Sequence, residues 1–153
     1  MVEVGQEAPD FTLVNQHGEP VTLSSFRGSK NVVLLFFPYA FSGTCTGELC
    51  TIRDRLPTFD NDNVVTLAVS IDHKFSQRVF ADRDGYTFPL LADFWPHGAT
   101  AKAYGVFAED KGAALRGTFI IDKAGVVRWI VLHEMGEARD ADEYEKVLAE
   151  LAG

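Results

Sequence analysis

The most reactive candidate group in this chain is a cysteine at the start of a predicted helix. Pro38, Ser42 and Cys45 have the spacing P-x-x-x-S-x-x-C, and they follow the apolar run Val32–Phe37. That run predicts a central strand buried on both faces, and ligands bind at the carboxyl ends of such strands in open α/β sheets. Cys45 is therefore expected in the first helical turn, capped by Ser42 or Thr44, where free N–H groups and the helix dipole favour a thiolate.

The alternative role for Cys45 is that of a small buried core residue. Its polar neighbours Thr44 and Thr46, and its place off the apolar stripe of the predicted helix, favour chemistry instead.

Cleavage of a peroxide O–O bond is a reaction that this group of residues could perform. A thiolate attacks one oxygen in line and an alkoxide leaves. An ordinary thiol with a pKa of about 8.5 is already a few per cent ionised at neutral pH, so full ionisation gains little more than about tenfold. Hydrogen bonds to the two oxygens must supply most of the acceleration. The Ser42 hydroxyl can form one of these bonds, and Pro38, which has no N–H, can exclude water beside the sulfur.

Arg116 is the candidate for a fixed cation at this site. It begins a predicted strand whose remaining residues, 117–121, are mostly apolar. An arginine rarely begins a buried strand unless its guanidinium binds something. The alternative is a solvent-facing arginine on an edge strand, and the sequence does not decide between the two.

A second cysteine, Cys50, follows Cys45 at a distance of five residues. In an intact helix this spacing rotates the two side chains roughly 140° apart and advances the chain by about 7.5 Å. That exceeds the limit of about 7 Å between Cα atoms for a disulfide, so a bond would require the helix to unwind. Gly47 weakens the helix there by about 1 kcal/mol. Cys50 is thus either a resolving cysteine or a small core residue beside Leu49.

The remaining pattern predicts one α/β domain spanning residues 1–153, with a mixed central sheet flanked by helices on both faces. A late hairpin should add antiparallel edge strands. The predicted elements are an N-terminal hairpin around residues 15–20, strands at 32–37, 64–70, 90–91, 117–121 and 126–131, and helices at 46–59 (kinked or ended by Pro57), 75–84, 99–104 and 140–151.

Charge and composition argue against several classes of function. The formal net charge of −8 disfavours nucleic acid and anionic membranes as partners. Apolar runs are far shorter than the roughly 18 residues that span a bilayer, and no signal peptide is visible, so we expect a cytoplasmic protein. The four histidines lack metal-ligand spacing, so no metal is expected, and a glycine-rich phosphate loop is absent, so no cofactor is expected. The absence of a C-x-x-C pair disfavours a dithiol carrier of the thioredoxin type.

The motif around Cys45 resembles the active-site motif of the peroxiredoxins. Similar blocks occur along nearly the whole chain and in the family's order. The segment Asp93–Gly98 and the overall length look most like the one-cysteine alkyl hydroperoxide reductase E type, whereas a cysteine at the Cys50 position is similar to the bacterioferritin-comigratory type. The other matching blocks are Ala8–Phe11, Phe36–Pro38, Tyr104–Val106 and Arg116–Phe119.

The resemblance implies a thioredoxin-like fold with the N-terminal hairpin of that family. It implies that Cys45 is the peroxidatic cysteine and that Pro38, Ser42 and Arg116 support it. It also suggests that Glu48 orients the arginine, although a carboxylate in a first helical turn is equally consistent with a surface position. Serine replaces the commoner threonine at Ser42 and lacks the methyl group that restricts χ1.

The function implied is that of a thiol peroxidase in antioxidant defence. Its substrates would be organic or fatty-acid hydroperoxides, hydrogen peroxide and peroxynitrite. An external thiol would regenerate it: thioredoxin, a glutaredoxin-like protein or a low-molecular-weight thiol. A redox carrier or sensor, and a non-enzymatic holdase or structural domain, are the alternatives. A homodimer formed near the site through Phe41, Phe94 and Trp95 is expected, because apolar residues that flank the site need cover.

Overall fold

The structure, a computed structural model, describes residues 1–133 and 141–152, apart from the side chains of residues 43–48. The strands are β1 (Thr12–Val14), β2 (Pro20–Thr22), β3 (Asn31–Phe36), β4 (Val64–Ser70), β5 (Leu90–Ala92), β6 (Phe107–Ala108), β7 (Ala113–Ala114), β8 (Arg116–Ile121) and β9 (Val127–His133). The helices are α1 (Gly43–Asp54), α2 (Leu56–Phe59), α3 (Lys74–Asp84), α4 (Ala99–Tyr104) and α5 (Ala141–Ala152).

The central sheet is mixed, with the strand order β5-β4-β3-β8-β9. Strands β3, β4 and β5 run parallel, while β8 is antiparallel to β3 and β9 is antiparallel to β8. All residues of β3 and β4 are buried, as continuous apolar and β-branched runs require when both faces of a sheet are covered.

Helices cover both faces of this sheet. Alternate residues of β3 point to opposite sides, so Leu35 packs in one cluster with side chains of α1, α3 and α5, and Leu34 packs in a second cluster with α4 and the N-terminal segment. The predicted α/β architecture is therefore confirmed. No helix in residues 1–133 or 141–152 is long and apolar enough to cross a bilayer.

Three details of the sequence prediction require correction. The helix predicted at 46–59 is two helices: α1 begins earlier, at Gly43, and Pro57 lies in the first turn of α2, where a missing N–H is tolerated. Strand β8 is interior, between β3 and β9, so only β9 of the late hairpin is an edge strand. The β6–β7 hairpin was missed because strands of two residues carry no periodicity.

Candidate active site

The candidate site lies where β3 ends and α1 begins. Phe37 continues the pairing of β3 with β4, since its amide donates to the Val69 carbonyl over 2.9 Å. Pro38 follows and is buried, and Ser42 is half-buried at the position directly before α1. Cys45 is the third residue of the helix, so it occupies the first turn, whose N–H groups have no partner within the helix. The side chains of Cys45 and Glu48 lie outside the described residues.

Arg116 reaches this junction from the opposite direction along the sheet. Leu35 lies opposite Thr118, so the antiparallel register continued by two residues places Arg116 across from Phe37. Thr118 and Ile120 share a sheet face with Arg116, and Ile120 belongs to the cluster that α1 covers. The arginine therefore lies on the α1 side of the sheet, at the end of β3 that leads into the site.

The Arg116 side chain is only 2% exposed. A buried guanidinium retains its charge and requires polar or anionic partners. This position is inconsistent with the alternative of a solvent-facing arginine on an edge strand. It leaves the catalytic role of Arg116 as a prediction.

An apolar rim surrounds the loop between β3 and α1. The Phe41 ring packs on Phe80 at 5.1 Å between centroids, and the Arg83 guanidinium lies over the same ring at 5.0 Å. The Tyr39 hydroxyl donates to the Lys111 carbonyl, which ties the loop to the turn between β6 and β7. Phe41 nevertheless remains 43% exposed.

A second exposed aromatic surface follows β5. Trp95 is 80% exposed and Phe94 is 47% exposed. The His73 ring meets the Phe94 ring edge to face at 4.9 Å, and the two line a shallow cavity of about 200 Å³ together with Trp95 and Lys74. Two large apolar side chains thus lie open on a surface that also carries a histidine and a lysine.

Cys50 is a half-buried free thiol in the same helix as Cys45. Its sulfur lies 3.4 Å from the Tyr86 hydroxyl oxygen, and it packs against the cluster on the α1 face of the sheet. Burial, together with the bond to Cys50, raises the pKa of Tyr86 far above its usual value, so this hydroxyl stays protonated. Because α1 is continuous from Gly43 to Asp54, a bond between the cysteines requires its first turns to unwind. Both roles proposed for Cys50 agree with this arrangement.

Comparison with known proteins identifies the family. The model of the AhpC/TSA family matches residues 4–130 of this chain. The chain belongs to this family, the peroxiredoxins. It is thus a thiol-dependent peroxidase, an oxidoreductase of hydroperoxides, as the resemblance implied.

Peroxiredoxins of known sequence or structure resemble it along nearly its full length. Alkyl hydroperoxide reductase E of Mycobacterium tuberculosis is 50% identical over 151 residues, which cover 99% of both chains. Peroxidoxin BcpB of Mycobacterium tuberculosis superposes with a TM-score of 0.87 at 29% identity, covering 99% of both chains. The reduced 2-Cys peroxiredoxin of Plasmodium vivax superposes with a TM-score of 0.86 at 28% identity, covering 97% of this chain and 81% of that one. These likenesses confirm the thioredoxin-like fold.

Sequence reasoning missed one acidic residue that contacts the loop between β3 and α1. The Asp72 carboxylate accepts a hydrogen bond from the Ala40 amide, Oδ2 to N 2.8 Å, and so contacts the loop directly. It follows β4, the strand parallel and adjacent to β3. The signal available in the sequence was an acid just after the second predicted central strand, because neighbouring parallel strands end at the same edge of a sheet.

Proposed function

We propose that this peroxiredoxin reduces hydroperoxides through a nucleophilic attack by Cys45. The thiolate bonds to the terminal peroxide oxygen, the O–O bond breaks, and the other oxygen leaves as an alkoxide that takes up a proton. The products are a Cys45 sulfenic acid and an alcohol, or water from hydrogen peroxide. The burial of Arg116 beside the end of β3 is the observation that carries this proposal, because a buried cation there needs a functional or structural anion.

Each supporting residue has a distinct role in this proposal. The Ser42 hydroxyl bonds the oxygen under attack, and buried Pro38 keeps water from the sulfur. Arg116 stabilises the thiolate and the negative charge that moves onto the leaving oxygen. Glu48 orients the arginine.

The preferred substrates are proposed to be organic or fatty-acid hydroperoxides rather than hydrogen peroxide or peroxynitrite. The exposed rings of Tyr39 and Phe41 flank the loop and offer apolar surface to an alkyl chain. The preference is measured by comparing second-order rate constants for an alkyl hydroperoxide and hydrogen peroxide at the same pH.

Regeneration is proposed to proceed through Cys50 and then an external thiol. The Cys50 thiol condenses with the Cys45 sulfenic acid, forming a disulfide and releasing water. Thioredoxin, a glutaredoxin-like protein or a low-molecular-weight thiol then reduces that disulfide. If Cys50 is a core residue, the external thiol attacks the sulfenic acid directly.

We also propose a cytoplasmic homodimer in which Phe41, Phe94 and Trp95 contact the partner. Trp95 is the most exposed large apolar side chain in the described part of the chain, and Phe94 beside it is about half exposed; such side chains favour association.

The competing function is a redox carrier or sensor that passes oxidation from Cys45 to another protein. The experiment that separates the two adds sub-stoichiometric hydroperoxide to the reduced protein and follows tryptophan fluorescence in a stopped-flow instrument. A peroxidase consumes the peroxide rapidly without any partner, and the Cys45→Ser variant does not. Absence of a fast reaction in the wild type would overturn the proposed peroxidase mechanism.

A further inference from the structure

The loop of residues 38–42, named here the peroxidatic loop, is held by a side chain of the neighbouring strand connection. The Ala40 amide donates to Asp72 Oδ2 over 2.8 Å. Asp72 follows β4 by two residues, and β4 pairs with β3 so that Phe36 lies beside Val69. The contact therefore spans the two parallel strands at the edge of the sheet where the site forms.

The Asp72 carboxylate is itself fixed by buried groups. The Ser70 hydroxyl donates to Asp72 Oδ2 over 2.7 Å and accepts from the Asp72 amide. Gln77 of α3 donates to the Ser70 hydroxyl over 2.9 Å and to the Leu91 carbonyl of β5 over 3.0 Å. Both Ser70 and Gln77 are fully buried. A continuous set of hydrogen bonds thus runs from β5 and α3 to the peroxidatic loop.

The residue that follows Ala40 in the peroxidatic loop has an unfavourable backbone conformation. Phe41 has a φ of 69°, in the left-handed region, which costs a non-glycine residue roughly 1–2 kcal/mol. Such a conformation persists only where the surroundings impose it. Here Asp72 holds the preceding amide, and Phe80 and Arg83 hold the Phe41 ring. The direction of the chain at Phe41 decides where Ser42 lies and where α1 begins.

We propose that Asp72 is a positioning residue of the peroxidase reaction, and this inference rests on the proposed function. Asp72 acts on the backbone and does not contact the peroxide. By fixing Ala40 and the left-handed turn at Phe41, it sets the distance from the Ser42 hydroxyl and the α1 N-terminus to the reacting oxygens. Displacement of such groups by about 1 Å can cost on the order of 10²-fold in rate.

Two reactions of the same thiol distinguish positioning from a general structural role. Peroxide reduction requires donors aligned on two oxygens, whereas alkylation by iodoacetamide requires only an accessible thiolate. All variants are made in a Cys50→Ser background, so that Cys45 is the only thiol. The Asp72→Ala variant should lose about 10- to 100-fold in the peroxide rate constant, while its alkylation rate stays within about threefold.

Further variants keep the test independent of folding defects. Asp72→Asn retains an oxygen that accepts from Ala40 and Ser70, and it should keep the peroxide rate within about threefold. Ser70→Ala keeps the hydrogen bond from Ala40 to Asp72 but removes the Ser70 hydroxyl that holds the Asp72 carboxylate. Its peroxide rate constant should fall, but by less than that of Asp72→Ala. Asp82→Ala is the matched control and should change neither rate. Asp82 is an exposed carboxylate of α3 that pairs only with Arg78 among the described ion pairs.

The outcomes separate this inference from the function on which it rests. A wild type that does not react with peroxide would overturn the proposed function and, with it, the role of Asp72. A fast wild type with an equally fast Asp72→Ala variant would overturn the positioning role alone. Two further outcomes would also overturn the positioning role. An equal loss of both reactions in Asp72→Ala would point to misfolding. An Asp72→Asn variant as slow as Asp72→Ala would point to the charge of the carboxylate rather than to its hydrogen bonds.

Discussion

The Cys50 thiol and the Tyr86 hydroxyl lie 3.4 Å apart, sulfur to oxygen, although 36 residues separate them along the chain. Either group can donate the hydrogen in this contact, since a thiol and a phenol hydroxyl are each both donor and acceptor. This contact stabilises α1 in its wound state and keeps Cys50 away from Cys45. Any disulfide between the two cysteines must break it first.

The first prediction is that Tyr86→Phe accelerates disulfide formation. The ring contacts with Phe80 and Phe88 remain in this variant, but the hydrogen bond to Cys50 is lost. Such a bond contributes a net stabilisation of about 0.5–1.5 kcal/mol, so its loss should favour the unwinding of α1 by roughly 2- to 10-fold. One equivalent of peroxide should give an unchanged first fluorescence phase and a faster second phase, with intact mass showing two hydrogens lost.

Tyr104→Phe is the control for that experiment. Tyr104 belongs to the opposite cluster of the core, and its hydroxyl donates to the Pro9 carbonyl, so the variant also loses a partly buried hydrogen bond. Its second phase should match that of the wild type. An unchanged second phase in Tyr86→Phe, or an equal acceleration in Tyr104→Phe, would contradict a specific role for Tyr86.

The second prediction assigns the two thiols. Cys45→Ser should abolish peroxide reduction and leave the fold intact, because a hydroxyl is a far weaker nucleophile than a thiolate. Cys50→Ser should retain the oxidising step and accumulate sulfenic or sulfinic acid on Cys45. Intact mass after one equivalent of peroxide gives the result. Loss of the oxidising step in Cys50→Ser would reverse the assignment, and a wild type that never forms the disulfide would make Cys50 a core residue.

The third prediction concerns Arg116. Arg116→Ala should raise the Cys45 pKa and slow the peroxide step by on the order of 10²-fold or more, since it removes a charged donor to the transition state. Arg116→Lys should recover little of this, because a point charge lacks the planar guanidinium geometry. The thiolate pKa is followed by the pH dependence of alkylation. Arg128→Ala, which removes an exposed arginine of β9, is the control. Wild-type rates in Arg116→Ala would leave the arginine with a structural role only.

The fourth prediction concerns assembly. Trp95→Arg should convert the proposed dimer into a monomer, because it places a charge in the apolar contact surface. Leu132→Arg is the matched control, since Leu132 is a partly exposed apolar residue on the edge strand β9. Sedimentation velocity of the reduced protein at micromolar concentration checks both variants. A monomeric wild type would exclude the dimer, and dissociation by Leu132→Arg alone would place the contact on β9 instead.

Long apolar runs made the centre of the sheet predictable from sequence. Strands β3 and β4 appear where their runs predicted them, because burial on both faces favours long runs of mainly apolar and β-branched residues. The position of Cys45 in the first turn followed from the end of β3 and the helical pattern after it. Local pattern was sufficient for these features.

Contacts between distant segments could not be predicted in this way. The burial of Arg116 depends on β8 lying between β3 and β9 rather than at the edge of the sheet, and the place of the late hairpin within the sheet is not evident from the sequence. The bond from Asp72 to Ala40 joins residues 32 apart, and the neighbour of Cys50 is 36 residues away. Each depends on which strands and helices become neighbours, and that is decided by the tertiary fold.

Because the position of Arg116 depends on the register between β3 and β8, the rate of the proposed reaction depends on correct assembly of the sheet. Arg116 faces the α1 side only because Leu35 pairs with Thr118, and a slip of one residue would turn its guanidinium to the opposite face. Segments near residues 37, 72 and 116 must all be in place before the thiol gains its full reactivity. During refolding, fast reaction with peroxide should therefore return only after β3 and β8 have paired in register, later than the recovery of helical circular dichroism.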